Sequence, residues 1–284
     1  MGFDLSGLLG GLLDITWQQL IMVAVALLLI YLGIFKDYEP TLLIPIGFGC
    51  ILGNLPVAAN MVGEEGLFGV LYRAGISNEL FPLLIFLGVG AMLDLRPLLS
   101  QPIMFVMGAL AHLGIFATLV IAILLGFNLA EATAIGMIGA IDGPTVIYVN
   151  GKLGSLFETP GLAAAIAVTA YSYMSLVPII QPPLMRLFTT KSERGIRMEY
   201  TPRPVSRMTV IIFPILITMV AAIFLPEAAP LIATLMLGNL IKESGVVPGL
   251  VETSKNAITN TATIFLGITI GSTMQAASFL NTGT

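Results

Sequence analysis

Charge is scarce in this chain. Its 284 residues hold 12 Lys and Arg, 16 Asp and Glu, and one His, so only 10% are charged, against about 25% in an ordinary soluble domain. A single cysteine, Cys50, excludes an internal disulfide. One histidine, His112, excludes a His-rich metal cluster, and no Ser–His–Asp set or phosphate loop is present. The N-terminus lacks the basic flank of a secretory signal. Its MGFDLS fits the loose myristoylation pattern, but nothing basic follows. No nucleic-acid partner is expected.

Apolar residues supply what charge does not. They make up 57% of the chain, and the mean hydropathy is +0.98. A soluble fold of this length has too little interior to hide them, whereas a lipid bilayer accommodates them. A membrane-crossing helix needs about 20 mostly apolar residues. Such runs are expected near 17–35, 41–60, 79–98, 102–126, 161–185, 208–225 and 228–242, with an incomplete one near 258–279. Residues 1–14, with Asp4 and Asp14, and 61–76 read as short interfacial pieces. The chain is therefore expected to be an all-α polytopic membrane protein.

Basic residues orient it. The segment 186–207 carries Arg186, Lys191, Arg194, Arg197, Arg203 and Arg207, half of the twelve, and is expected to be cytoplasmic. Lys36, Arg96, Lys242 and Lys255 fall on the same side, and only Arg73 and Lys152 dissent. The tally holds only if 131–150 enters and leaves at one face, as a re-entrant element.

The chain also repeats itself. ILGNL at 51–55 matches MLGNL at 236–240, each with a proline eight residues before its glycine, Pro45 and Pro230. IFLG then occurs at 85–88 and 264–267. Five crossings separate the copies, and an odd number inverts one against the other, the architecture of secondary transporters. The expected organisation is a first membrane repeat at 1–185, a cytoplasmic basic loop at 186–207 and a partial second repeat at 208–284. Asp142 lies 54 residues after Gly88, and the same step from Gly267 falls near 321, beyond Thr284. The second copy is thus expected to be cut short.

The chemistry concentrates in GMIGAIDGPTVIYVN, residues 136–150. Pro144 has no N–H, and Gly143 before it is steered away from helix, so the backbone is expected to break at Asp142. In a bilayer, broken backbone is tolerated only in protein or along a cavity. A carboxylate at mid-membrane costs at least ~3 kcal/mol on insertion scales, and such residues commonly mark ion or proton paths. Thr145 lies one turn on, and Tyr148 and Asn150 extend the polar side. The run 161–185 holds a second polar patch of Thr169, Tyr171, Ser172, Tyr173 and Ser175. That patch suits either ion coordination or hydrogen bonding between helices. His112 reads as a packed, hydrogen-bonded residue, and Asp94 with Arg96 as an interfacial ion pair.

GVGAMLDLRPLL (88–99), AIDGPTVIYVNGKLG (140–154), AYSYMSLVPIIQPPLMR (170–186) and GNLIKESGVV (238–247) resemble the beta subunits of biotin-dependent sodium-pumping decarboxylases. That family includes oxaloacetate, methylmalonyl-CoA, glutaconyl-CoA and malonate decarboxylases. The resemblance implies a bacterial or archaeal cytoplasmic membrane subunit that decarboxylates carboxybiotin and couples the step to Na+ export and proton uptake. The biotin would sit on a partner carrier subunit. Other implied partners are a carboxyltransferase alpha subunit, a small membrane-anchor subunit and further copies of the chain in a homotrimer. Asp142 and Tyr173 match the family's functional residues in this half, and Thr145 and Ser172 join them as expected sodium ligands. Further family site residues, an Asn and a Ser, would lie beyond Thr284. The alternative reading is a sodium-coupled secondary transporter or a sodium/proton antiporter.

Overall fold

The computed structural model describes residues 15–56, 61, 63, 65–159, 161–197 and 204–280. The interfacial piece expected at 1–14 and part of that at 61–76 lie outside these, as does Arg203. Every helix and turn is a local solution to the same constraint, that backbone polar groups in lipid must be satisfied within the segment.

The first helix, α1 (Trp17–Phe35), begins at a capping box in which Gln19 N–H donates to Thr16 Oγ1 at 3.3 Å and Gln19 Oε1 accepts from Thr16 N–H at 2.8 Å. A tight turn leads to α2 (Pro40–Asn54), which starts on a proline. A short helix and a π-turn, Leu67–Ile76, then precede α3 (Leu80–Met92), bent from it by 55°. Next come α4 (Ile103–Leu124), α5 (Leu129–Met137), α6 (Gly143–Leu153) and the long α7 (Leu162–Phe188). After the basic loop follow α8 (Arg207–Phe224), α9 (Ala229–Ser244), a second π-turn at Thr253–Ile258, and α10 (Thr259–Thr273). Among the described residues α1, α4 and α8 are long and apolar enough to cross a membrane alone, and the bent pair Leu67–Ile76 with α3 makes a fourth. α2, α9 and α10 fall below that length because each ends at or joins an irregular turn; α2 stops at Asn54, where Leu55 turns extended.

The repeat is real in three dimensions. α2 packs most extensively on α10, and α9 on α3, so each copy exchanges its central pair with the other. Both contacts run parallel: Pro45 meets Gly267 and Gly53 meets Ser272, while Leu87 meets Gly238 and Leu93 meets Asn239. α3 and α10 run antiparallel, with Gly88 at Thr259 and Phe81 stacked on Phe265, centroids 6.1 Å apart. It follows that α2 and its counterpart α9 point in opposite directions, which is an inverted repeat. The two π-turns occupy matching places ahead of α3 and α10.

Small residues make the exchange possible. A Cβ at Gly90 would lie 1.9 Å from the Leu235 carbonyl oxygen, and one at Gly238 would lie 2.0 Å from that of Leu87. The asparagines of the repeated GNL reinforce it. Buried Asn54 donates to Met274 O at 2.7 Å and accepts from Ala276 N–H at 2.8 Å, beyond the end of α10. Buried Asn239 donates to Leu93 O at 2.9 Å, at the end of α3. Each copy thereby caps the other's helix terminus.

The sided charges agree with this layout. At one end Arg96 pairs with Asp94 at 3.3 Å and with Glu243, Lys242 Nζ donates to Leu93 O at 2.7 Å, and Arg207 donates to Ser244 O at 2.9 Å. At the other end Lys152 pairs with Glu79 at 3.3 Å and Glu227 at 3.8 Å. Those carboxylates give Lys152, one of the two basic residues that dissent from the charge tally, its partners. His112 interrupts α4 and bonds through Nδ1 to Gly108 O at 2.7 Å; it is satisfied locally, but on an exposed face and not in a packed one.

Candidate ion site at a re-entrant hairpin

The segment from Leu129 to Leu156 is a hairpin whose two ends are tied together. Asn128 caps α5 by accepting from Glu131 N–H at 2.9 Å and donates to Leu156 O at 3.1 Å. Glu131, 2% exposed, accepts through Oε1 from Glu158 N–H at 2.9 Å and Thr159 N–H at 2.7 Å. An element whose entry and exit share one carboxylate leaves on the face it entered. Glu131 escaped the sequence reading, although Asn128-Leu129-Ala130-Glu131 before an apolar run is a capping-box signature.

The tip of the hairpin is the expected break. α5 tightens into a 3-10 turn at Ile138–Ala140, Ile141 adopts φ 57°, Asp142 is extended, and Gly143-Pro144 opens α6. A left-handed isoleucine is strained, and such strain clusters where function needs it. α6 has 11 residues, about 16 Å at 1.5 Å per residue, about half the ~30 Å thickness of a hydrocarbon core. Half-buried Asp142 accepts a hydrogen bond from Thr145 Oγ1.

The adjoining wall belongs to α7. Tyr171 is fully buried, and its ring fills the space above Gly143: a Cβ there would lie 2.1 Å from the ring. Its hydroxyl has no hydrogen-bond partner among the described residues. Tyr173 is half-buried two positions on, about 200° around the helix from Tyr171. So Thr145 and Tyr171 meet the break directly, and Tyr173 points to another face of α7. The side chains of Ser172 and Ser175 lie outside the described residues. Tyr148 and Asn150 turn away from Asp142: Tyr148 donates to Glu227 O at 2.6 Å and Asn150 donates to Ala163 O at 2.7 Å.

This donor set has a defined chemistry. Among the described residues no three His, Cys, Asp or Glu converge, so a tight divalent site has no support. One carboxylate with hydroxyl oxygens at a helix break suits a single hard monovalent cation or a proton.

The profile of the family described as Na+-transporting oxaloacetate decarboxylase beta subunit matches residues 18–284. The methylmalonyl-CoA decarboxylase subunit beta of Veillonella parvula is 51% identical over 271 residues, covering 95% of this chain and 70% of that protein. The glutaconyl-CoA decarboxylase subunit beta of Acidaminococcus fermentans is 49% identical over 272 residues, with the same coverage. The oxaloacetate decarboxylase beta chain of Klebsiella pneumoniae is 39% identical over 330 aligned positions, covering 95% of this chain and 75% of that one.

Proposed function

The chain belongs to the family of Na+-transporting decarboxylase beta subunits, and from that premise we propose that it is the membrane subunit of a sodium pump driven by decarboxylation of carboxybiotin. A cytoplasmic carboxyltransferase loads a biotin carrier, which docks at the face of the basic loop. The N–C bond of carboxybiotin breaks, CO2 leaves, and the ring nitrogen takes up a proton. Asp142 holds sodium or that proton, one at a time, because a single carboxylate charge is neutralised by either. Thr145 orients the carboxylate and Tyr171 walls the break; Tyr173, expected as a sodium ligand, faces elsewhere on α7 and is left out of this oxygen set. Decarboxylation moves the ion only if the two access states differ in affinity for it. The complex includes a small membrane-anchor subunit and assembles as a trimer in the cytoplasmic membrane.

The observation that carries this reading is the Asp142–Thr145 pair at the broken tip of a hairpin, in a chain of this family. The test is radioactive sodium uptake into proteoliposomes holding the full complex with carboxylated carrier. Uptake that requires the carrier and falls to background in Asp142→Asn is the expected result. Uptake indifferent to the carrier makes the chain a secondary transporter, sodium-coupled or sodium/proton exchanging, which the inverted repeat serves equally well. Carrier-dependent uptake that survives Asp142→Asn removes Asp142 from the ion path.

A further inference from the structure

Beyond the break, towards the end of the molecule marked by Lys152, a cavity of about 440 Å³ opens between α6, α7, α10 and the first π-turn. Tyr72, Ser77, Asn150, Ala164 and Thr273 line it. Ile147 and Ala167 form its inner wall. Each stands four residues from the contact between Gly143 and Tyr171, one helical turn or about 5.4 Å away. Beside the cavity the Glu79 side chain lies against Gly151 of the lining and pairs with Lys152 at 3.3 Å, and Lys152 also pairs with Glu227 at 3.8 Å.

Asn150 is the distinctive residue of this wall. It is 8% exposed, and its Nδ2 is fixed on Ala163 O at 2.7 Å. Its Oδ1 is buried without a donor among the described residues. A buried oxygen left without a partner is destabilising, and a cation at that oxygen removes the cost.

We propose that this cavity is a cation-release vestibule, in which Asn150 Oδ1 is the first oxygen to receive sodium after it leaves Asp142. The proposal rests on the reading of Asp142 as a sodium-path residue. A neutral amide oxygen suits the role. Conduction needs sites that bind strongly enough to draw the ion in and weakly enough to let it go. Asp142 supplies a full charge at mid-membrane, Asn150 a dipole about two turns nearer the exit, and Glu79 a carboxylate beside the cavity. Tyr72, Ser77 and Thr273 add hydroxyls around the space.

The test is equilibrium binding of radioactive sodium to the purified full chain. In wild type a stronger and a weaker component are expected, and Asp142→Asn removes only the stronger. In that background Asn150→Leu weakens the remaining component about fivefold or more, as loss of one oxygen ligand predicts, and Asn150→Asp strengthens it. Ala164→Leu fills the cavity while keeping the Asn150–Ala163 bond, and abolishes the weaker component; it keeps the test decisive if Asn150→Leu does not fold. Absence of any binding in Asp142→Asn, or a weaker component unmoved by Asn150→Asp and Ala164→Leu, overturns the vestibule. Absence of the stronger component in wild type instead overturns the role of Asp142, and the weaker component still reports on Asn150.

Discussion

α2, α3, α9 and α10 approach one another backbone to backbone, whereas the α5–α6 hairpin is held by side chains: caps at its base, an apolar cluster with α7 along its length and one tyrosine at its tip. In the first region the glycines have no spare room. In the second, a Cβ at Gly139 would lie 3.5 Å from its nearest neighbour, an ordinary contact. The difference separates a frame whose backbones lock against one another from an arm held by side chains, with α5 on α4 and its apolar face in the cluster of Ala134, Val146, Leu162, Ile166 and Ala170. Bistable function is drawn from the less firmly held parts of a structure, and the half-buried Asp142 sits on the arm.

The sharpest break in that comparison comes from matched glycine substitutions. Gly238→Ala drives a methyl into the Leu87 carbonyl at 2.0 Å, and is expected to cost more than about 3 kcal/mol, seen as loss of a monodisperse, cooperatively unfolding protein. Gly139→Ala should unfold within about 1 kcal/mol of wild type. Equal effects would erase the distinction between frame and arm. Next in size is Gly143→Ala, where the tyrosine ring is the obstacle. The fold should persist, because a ring tilts more easily than a backbone moves, but carrier-dependent sodium uptake should drop by about 100-fold as the break is displaced.

The two copies of GNL sharpen the comparison within the frame. Asn54→Ala leaves Met274 O and Ala276 N–H buried without their partner, at about 2–4 kcal/mol. Asn239→Ala should cost nearer 1 kcal/mol, because Lys242 Nζ still donates to Leu93 O and Asn239 Oδ1 has no partner to lose. Chemical unfolding of the two variants side by side measures the difference. The smallest effect belongs to the basic loop. Thr190 donates through its N–H at 2.7 Å and its hydroxyl at 2.8 Å to Glu193, and these bonds hold the Glu193 carboxyl below its ordinary range. A depressed acid contributes order above the unfolded glutamate value of about 4.3, and loses it as the pH falls through the lower folded value. Protease cleavage at 189–196 should rise over that acid window and be pH-independent there in Glu193→Gln.

Much of this was legible because lipid leaves a chain few options. The break at Asp142 followed from Gly143-Pro144, the hairpin from a tally of basic residues, and the inverted repeat from two short matches and a crossing count. Asn54 and Asn239 were visible only as letters of a repeated motif, since capping another helix is a long-range act. Glu243 gave no sign of its pairing with Arg96, which joins residues 147 apart.

The sequence by itself determined that the chain lives in a membrane, folds as duplicated helices and carries one carboxylate at a backbone break, because hydropathy and proline act locally. Only the tertiary structure decided that Tyr171 and not Tyr173 covers that break, that the copies cap each other's helices, and that a cavity lies one turn outward beside Asn150. Those outcomes depend on helix rotation and on which faces meet, and the small residues that permit such close packing encode nearness without naming the neighbour.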